Sequence, residues 1–265
     1  MSEHVINTNG AAIRVEESGA GEPALIFLYY WGGSSRTWRS VIDRLGGRPR
    51  CIALDQRGWG ASTATDGRYG LYALADDVEA VTHQLGLDRY VLVGHSMGGK
   101  VAQIVAARRP KELVGLILVA PAPPTPMPVP EVVRNGMFQS YGSREGALQA
   151  LAVLGGQPLS SEFREQVIED TLRGAPQAKS SWTERGMIED VTAGLDAVKL
   201  PVAVIVGDRD QVGHEVALRK IFARLLPQAS FRVLQGIGHL SPLEAPDALA
   251  NACKSLLHSL ERLPR

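Results

Sequence analysis

The sequence predicts an α/β fold: a mostly parallel sheet flanked by helices, with a helical segment inserted before the last strands. Three observations predict it. Short β-branched runs recur at Ala24–Leu28, Cys51–Leu54, Tyr90–Val93, Leu113–Val119 and Val202–Val206, each bounded by Gly, Pro or charge. Continuously apolar runs of this length suit strands buried on both faces of a parallel sheet. Helical patterns lie between them, and the alternation breaks off after Val119.

At the start of the chain, Val5–Thr8 and Ala12–Glu16 are joined through Asn9-Gly10 and read as an antiparallel hairpin at the sheet edge. Leu74, Val78, Val81 and Leu85 repeat at steps of four and three, and Gly86 follows as a helix terminator. Strand and helix alternating in this way imply βαβ units with right-handed crossovers. Six prolines within Pro121–Pro130 then remove backbone donors that another strand or helix would need, which makes this stretch a linker. From Glu131 to about Gly194 the pattern is helical, and the sheet resumes only at Pro201. The expected organisation is a core domain of residues 1–121 and 195–265, with a helical cap at 122–194. The alternative for the insertion is a surface excursion without a functional role.

Composition narrows the function classes. Of the 265 residues, 45% are hydrophobic and 21% charged, enough apolar surface for a sizeable core. Lys plus Arg and Asp plus Glu balance at 28 each, so no net field draws the protein to nucleic acid or anionic lipid. A small-molecule partner is expected. Cys51 and Cys253 lack the spacing of a metal site or a disulfide framework and read as buried free thiols. The first ten residues contain no apolar signal core, and no apolar run reaches the roughly 18 to 20 residues of a membrane span. The expected location is soluble and cytoplasmic.

The chemistry begins at Gly94-His95-Ser96-Met97-Gly98, a G-x-S-x-G motif between the strand at Tyr90 and the helical stretch Lys100–Ala107. That context marks a nucleophile elbow: a sharp strand-to-helix turn that strains the serine and needs flanking glycines for close packing. It also puts Ser96 at a helix N-terminus, where backbone N–H groups and the dipole favour negative charge.

Serine is a weak nucleophile until a positioned base takes its proton. Of six histidines, His95 is adjacent to Ser96 but on a tight turn points away, while His4, His83, His214 and His258 lie on edge or helical segments. His239 follows the strand Ser230–Leu234 and the run Gln235-Gly236-Ile237-Gly238, on the carboxyl side of the sheet where sites form in this architecture. Beyond it, Ser241-Pro242-Leu243-Glu244 reads as a capping box. An acid must hold the second ring N–H of the base. Gly207-Asp208-Arg209-Asp210 follows the strand Val202–Val206, and Asp210, further into the loop, is favoured over Asp208. No acid follows the preceding strand until Glu131.

With the order Ser96, Asp210, His239, the chain resembles the α/β-hydrolase superfamily over nearly its whole length. Asp55-Gln56-Arg57-Gly58-Trp59-Gly60-Ala61-Ser62 is similar to that family's D-x-R-G-x-G-x-S loop, and Gly32-Gly33-Ser34 follows the strand Ala24–Leu28 in the same way. The resemblance implies the α/β-hydrolase fold, and an oxyanion hole built from the backbone N–H groups of Met97 and Trp31. Family members that dehalogenate or open epoxides carry aspartate at the position of Ser96, so serine points to acyl transfer. Tyr29-Tyr30 departs from the usual His-Gly: Tyr29 either braces the oxyanion loop less well or lends its hydroxyl to the site.

The resulting expectation is a serine hydrolase that cleaves a carboxylic ester or lactone through an acyl-serine, with no metal or organic cofactor. The same triad would also serve carbon–carbon hydrolysis, a lyase step or cofactor-free perhydrolysis and haloperoxidation. A reading from another class is a low-turnover ligand receptor, to which Tyr29 lends support. Met127, Met137, Phe138, Trp182 and Met187 are candidates to line an acyl or alcohol pocket beside Tyr30 and Trp31. Plain core packing is the alternative for each. The absence of a charged cluster in the insertion argues against an anionic substrate. Oligomeric state is left open by the sequence.

Overall fold

The computed structural model describes residues 2–262. Strands β1 (Ser2–Thr8) and β2 (Ala11–Ser18) pair antiparallel with Thr8 opposite Ala11, so Asn9-Gly10 forms the two-residue turn its dipeptide predicts. There follow β3 (Ala24–Leu28), β4 (Cys51–Leu54), the two-residue β5 (Thr63–Ala64), β6 (Tyr90–His95), β7 (Leu113–Val119), β8 (Val202–Gly207) and β9 (Ser230–Leu234). Across the sheet the order is β1-β2-β4-β3-β6-β7-β8-β9, with β5 paired to β2. All pairings from β4 to β9 are parallel, while β2 meets β4 antiparallel.

Helices α1 (Arg39–Leu45), α2 (Leu71–Gln84) and α3 (Met97–Arg108) alternate with these strands, as the periodicity predicts. On α2, Leu74, Val78 and Val81 are buried, and the helix stops before Gly86, which takes a left-handed φ of 60°. Between β7 and β8 the chain forms no strand. The prolines of 121–130 carry no regular structure, and then come α4 (Glu131–Ser140), α5 (Arg144–Leu154), α6 (Ser161–Arg173), α7 (Pro176–Ser181) and a π-helical turn at Trp182–Gly186. The sheet resumes with β8, followed by α8 (Glu215–Leu225), α9 (Ser241–Glu244) and α10 (Pro246–Glu261).

Helix α2 packs on α3 and α1 on α10, and between these layers β3, β4 and β6 are buried along their whole length. Burial on both faces is why their sequences are apolar without alternation. The edge strand β9 alternates instead, with Ser230 and Arg232 exposed. Among the described residues no helix is long and apolar enough to cross a membrane. Cys51 and Cys253 are buried thiols, and burial pushes the pKa of each up to about 12.

The capping box expected at Ser241 and Glu244 takes a different form. Helix α9 begins at Ser241 itself, whose hydroxyl donates to the Gly238 carbonyl (3.1 Å). Glu244 Oε2 accepts from the N–H groups of Gly238 (2.9 Å) and Gly156 (3.1 Å), so its carboxylate joins the loop before His239 to the inserted segment.

Candidate active site

The turn after β6 holds Ser96 at φ 53° and ψ −115°, a conformation that non-glycine residues seldom adopt and that costs on the order of 1–3 kcal/mol. The surroundings enforce it. A Cβ on Gly98 would stand 2.6 Å from the Tyr29 carbonyl oxygen, and one on Gly94 2.6 Å from the Gly98 carbonyl oxygen. Only glycine at both positions lets α3 approach the sheet this closely. The Ser96 N–H donates to Val119 O (3.1 Å), and the Ser96 carbonyl accepts from Ala122 N (3.0 Å). The nucleophile candidate is therefore fixed by backbone bonds to the end of β7 and the start of the insertion.

His239 lies after β9 and brings its Nε2 to 2.8 Å from Ser96 Oγ, while its Nδ1 is 2.8 Å from Asp210 Oδ2. A carboxylate only accepts, so the proton sits on Nδ1 and Nε2 is left to accept from the serine hydroxyl. Asp210 Oδ1 takes the N–H groups of Val212 (2.8 Å) and Gly213 (3.0 Å), which orients the acid in turn. Burial pushes the Asp210 pKa up. The facing His239 imidazole and the two N–H donors outweigh it and hold the carboxyl below its usual range. Asp208 is exposed and its Oδ1 accepts from Gly236 N (2.6 Å), bracing the loop ahead of His239 from outside.

His95 is fully buried, and its Nε2–H donates to the His239 carbonyl (2.8 Å). Burial and the neighbouring His239 push its pKa down to about 3, so it stays neutral and supports the backbone of the histidine loop. His4, His83, His214 and His258 lie away from the site on partly or wholly exposed positions.

The loop after β3 carries Trp31. Neither the Trp31 N–H nor the Met97 N–H has an acceptor among the described residues, whereas the adjacent Gly98 and Gly33 N–H groups bond Tyr29 O (3.1 Å) and Tyr30 O (3.0 Å). Tyr29 is fully buried and does not line the cavity. Its phenol oxygen accepts from Gln56 N (2.5 Å), and Gln56 Nε2 donates back to Tyr29 O (3.1 Å). The hydroxyl thus reaches the loop after β4 and not the site, and Tyr29 braces the Trp31 loop against the core. Asp55 adds to this brace, accepting from Ser35 N (2.8 Å) and Ala61 N (2.9 Å).

From the other side the insertion grips the same loop. Tyr141, just after α4, stacks on Trp31 with ring centroids 3.7 Å apart, and its hydroxyl donates to Trp31 O (3.2 Å). Asp170 on α6 accepts from Ser34 Oγ (2.7 Å) and forms an ion pair with Arg36 (2.6 Å). The His239 N–H donates to Leu154 O at the end of α5 (2.8 Å).

Beside Ser96 and His239 lies a cavity of about 60 Å³. Tyr30, Trp31, Met127, Met137, Trp182 and Met187 line it, as the sequence predicts. Phe138 does not. On α4, Met137 packs inward, and the next residue is turned by about 100°, which leaves Phe138 half-buried outside the cavity. Sequence reasoning missed Pro121, Ala122, Tyr141, Leu154, Val212 and Gly213 as lining residues. Of these only Tyr141, an aromatic within reach of the other candidates, offered a signal.

Comparison with known proteins places this geometry in a family. A family model described as the alpha/beta hydrolase fold matches residues 23–167. A 3-oxoadipate enol-lactonase of Acinetobacter baylyi is 27% identical over 241 residues, covering 90% of each chain. A non-heme haloperoxidase of Rhodococcus erythropolis is 27% identical over 252 residues, covering 89% of this chain and 92% of that one. A thermophilic esterase from Thermogutta terrifontis superposes with a TM-score of 0.83 at 27% identity, covering 98% of this chain and 99% of that chain. The mostly parallel sheet, the helices that flank it and the family match over more than half of the sequence together make this chain a member of the alpha/beta hydrolase fold family.

Proposed function

We propose that the protein is a serine hydrolase of carboxylic esters or lactones that works through an acyl-serine intermediate, with residues 122–194 as a cap over the site. The observation that carries this reading is the hydrogen-bond relay from Ser96 Oγ through His239 to Asp210, both links 2.8 Å long. His239 Nε2 takes the serine proton as Oγ attacks the carbonyl, and Asp210 stabilises the imidazolium that forms. The oxyanion is received by the N–H groups of Met97 and Trp31, which have no other acceptor among the described residues. The imidazolium then returns its proton to the leaving alkoxide. In the second half His239 activates water against the acyl-serine. The esterase and enol-lactonase likenesses support acyl transfer as the reaction class.

The haloperoxidase relative favours a second reading on the same residues. Hydrogen peroxide would replace water in deacylation and give a peracid plus free serine, and activity of the purified protein with acetate and peroxide tests that directly.

The acyl-serine reading is tested by treating the protein with diisopropyl fluorophosphate and mapping the adduct by mass spectrometry. Rapid phosphorylation confined to Ser96 is expected, because a fluorophosphate needs both an activated serine and donors for the phosphoryl oxygen. A protein that stays unmodified, or that reacts no faster at Ser96 than at other serines, refutes the enzyme and leaves the receptor.

A further inference from the structure

We propose that the chamber over Ser96 selects short, uncharged acyl groups of about two to four carbons, and that Tyr141 and Trp182 set this limit as rigid walls. The inference rests on the acyl-serine reading and adds the substrate class to it.

Volume comes first. The chamber holds about 60 Å³, against the 10–15 Å³ that one water needs by the same measure, so there is room for about four or five waters. A methylene fills about as much space as a water. Two to four acyl carbons beside the leaving oxygen fill that volume, and a longer chain has to run out through its open side or displace a wall.

The walls resist displacement. Tyr141 is held by its stack on Trp31, by its bond to Trp31 O, and by Lys179, whose ammonium donates to Tyr141 O (2.8 Å). Trp182 is buried against Gly186, where an added Cβ would come within 2.6 Å of the indole ring. The two chain segments that connect the cap to the core are bonded to each other, Met127 N to Met187 O and Val191 N to Pro124 O, both 2.8 Å. Opening the chamber would break those bonds. Met127, Met137 and Met187 are the compliant part of the lining, so the limit on size falls to the two held aromatic rings.

Charge is the second filter. No Lys, Arg, Asp or Glu lines the chamber. The buried Lys179 and Lys100 and the half-buried Arg36 are engaged elsewhere: Lys179 by Tyr141 O and Leu172 O, Arg36 by Asp170, and Lys100 towards Thr125 O. A carboxylate on the acyl chain would lose its hydration and meet no cationic partner.

The test is kcat/KM for ethyl acetate, butyrate, hexanoate and octanoate, with ethyl butyrate and monoethyl malonate as a neutral and charged pair of matched length, each followed by release of the acid; preference for the charged ester counts against the inference. Acetate or butyrate should lead hexanoate by about tenfold or more, the scale at which a pocket discriminates methylenes. Ethyl butyrate should exceed monoethyl malonate by at least as much. Met137→Ala and, separately, Trp182→Phe should each raise the hexanoate-to-acetate ratio about tenfold, and either one failing to fold leaves the other to decide. Labelling at Ser96 combined with equal or better use of octanoate, with preference for the malonate, or with no turnover of any ester, overturns the inference while the nucleophile stands. Failure of labelling removes the acyl-serine reading and the inference with it.

Discussion

The turn that carries Ser96 and the loop that carries Trp31 lie side by side in the site, yet they are held in different ways. The serine turn is fixed by backbone bonds to Val119 at the end of β7 and to Ala122 at the start of the insertion, and by glycines that let α3 press against β3. The Trp31 loop is held from below by core residues, Tyr29 with Gln56 and Asp55 with Ser35, and from above by Tyr141 and Asp170 of the inserted segment. The insertion therefore meets the Trp31 loop through side chains, Tyr141 and Asp170, and meets the Ser96 turn and the His239 loop mainly through backbone bonds at Ala122 and Leu154.

The largest expected effect sharpens the core side of this comparison. Asp210→Asn should lower turnover by about 10⁴-fold, because an amide facing Nδ1 favours the wrong imidazole tautomer while the geometry survives. Asp208→Asn keeps an oxygen for the Gly236 N–H and should change turnover by less than about threefold. Steady-state kinetics on the two variants checks both. The reverse pattern would show that Asp208 orients His239.

The cap side is tested by Asp170→Asn, which removes the ion pair to Arg36 while the hydrogen bond from Ser34 can persist. One oxyanion donor contributes about 3–4 kcal/mol to the transition state, and a loosened loop forfeits a fraction of that. A fall in turnover of roughly tenfold with little change in KM is expected, since charge on the oxygen develops mainly in the transition state. A change confined to KM would mean that the cap shapes substrate binding and leaves the oxyanion loop alone.

The same division explains what could be read from the sequence. Gly94, Ser96 and Gly98 announce themselves because a nucleophile turn is a local constraint: glycines at fixed offsets between a strand and a helix. Asp210 and His239 follow because the carboxyl ends of successive parallel strands converge in space, so chain order stands in for geometry. The cap's grip was illegible. Tyr141 meets Trp31 and Asp170 meets Ser34 across separations of 110 and 136 residues, through single side chains that leave no periodic trace. Phe138 was misplaced because an apolar pair on a helix does not reveal which member faces inward. Ser241 and Glu244 carry a genuine local signal, but Gly156, 88 residues away, competes for the carboxylate. Tyr29 was visible as a departure from the family, while its partner Gln56 was not.

The smallest effect concerns the place where the two regions meet. Lys100 lies one turn after Ser96 on α3, has no exposed surface, and reaches only Thr125 O in the proline linker, at 3.5 Å. Burial pushes its pKa down from 10.5 to about 8, with Glu189 and Asp190 opposing the shift in part. In the unfolded chain the ammonium titrates near 10.4. Between about pH 8 and 10.4 the unfolded state therefore binds a proton that the folded state does not, and stability rises with pH across that window. Below pH 8 the full cost of holding a buried charge is present, on the order of 3 kcal/mol. Lys100→Met keeps the length of the side chain and removes the charge, so it should stabilise the protein at pH 7 and raise the melting temperature by several degrees. The advantage over the parent should shrink between pH 8 and 10 and vanish above about 10.4, and turnover should stay within about twofold, since the Lys100 side chain touches neither the relay nor the oxyanion loop. Paired thermal melts from pH 7 to 10.5 decide it: a difference that does not change with pH would show that the lysine acts through packing, and a variant less stable at pH 7 would show that the ammonium ties the serine helix to the root of the cap.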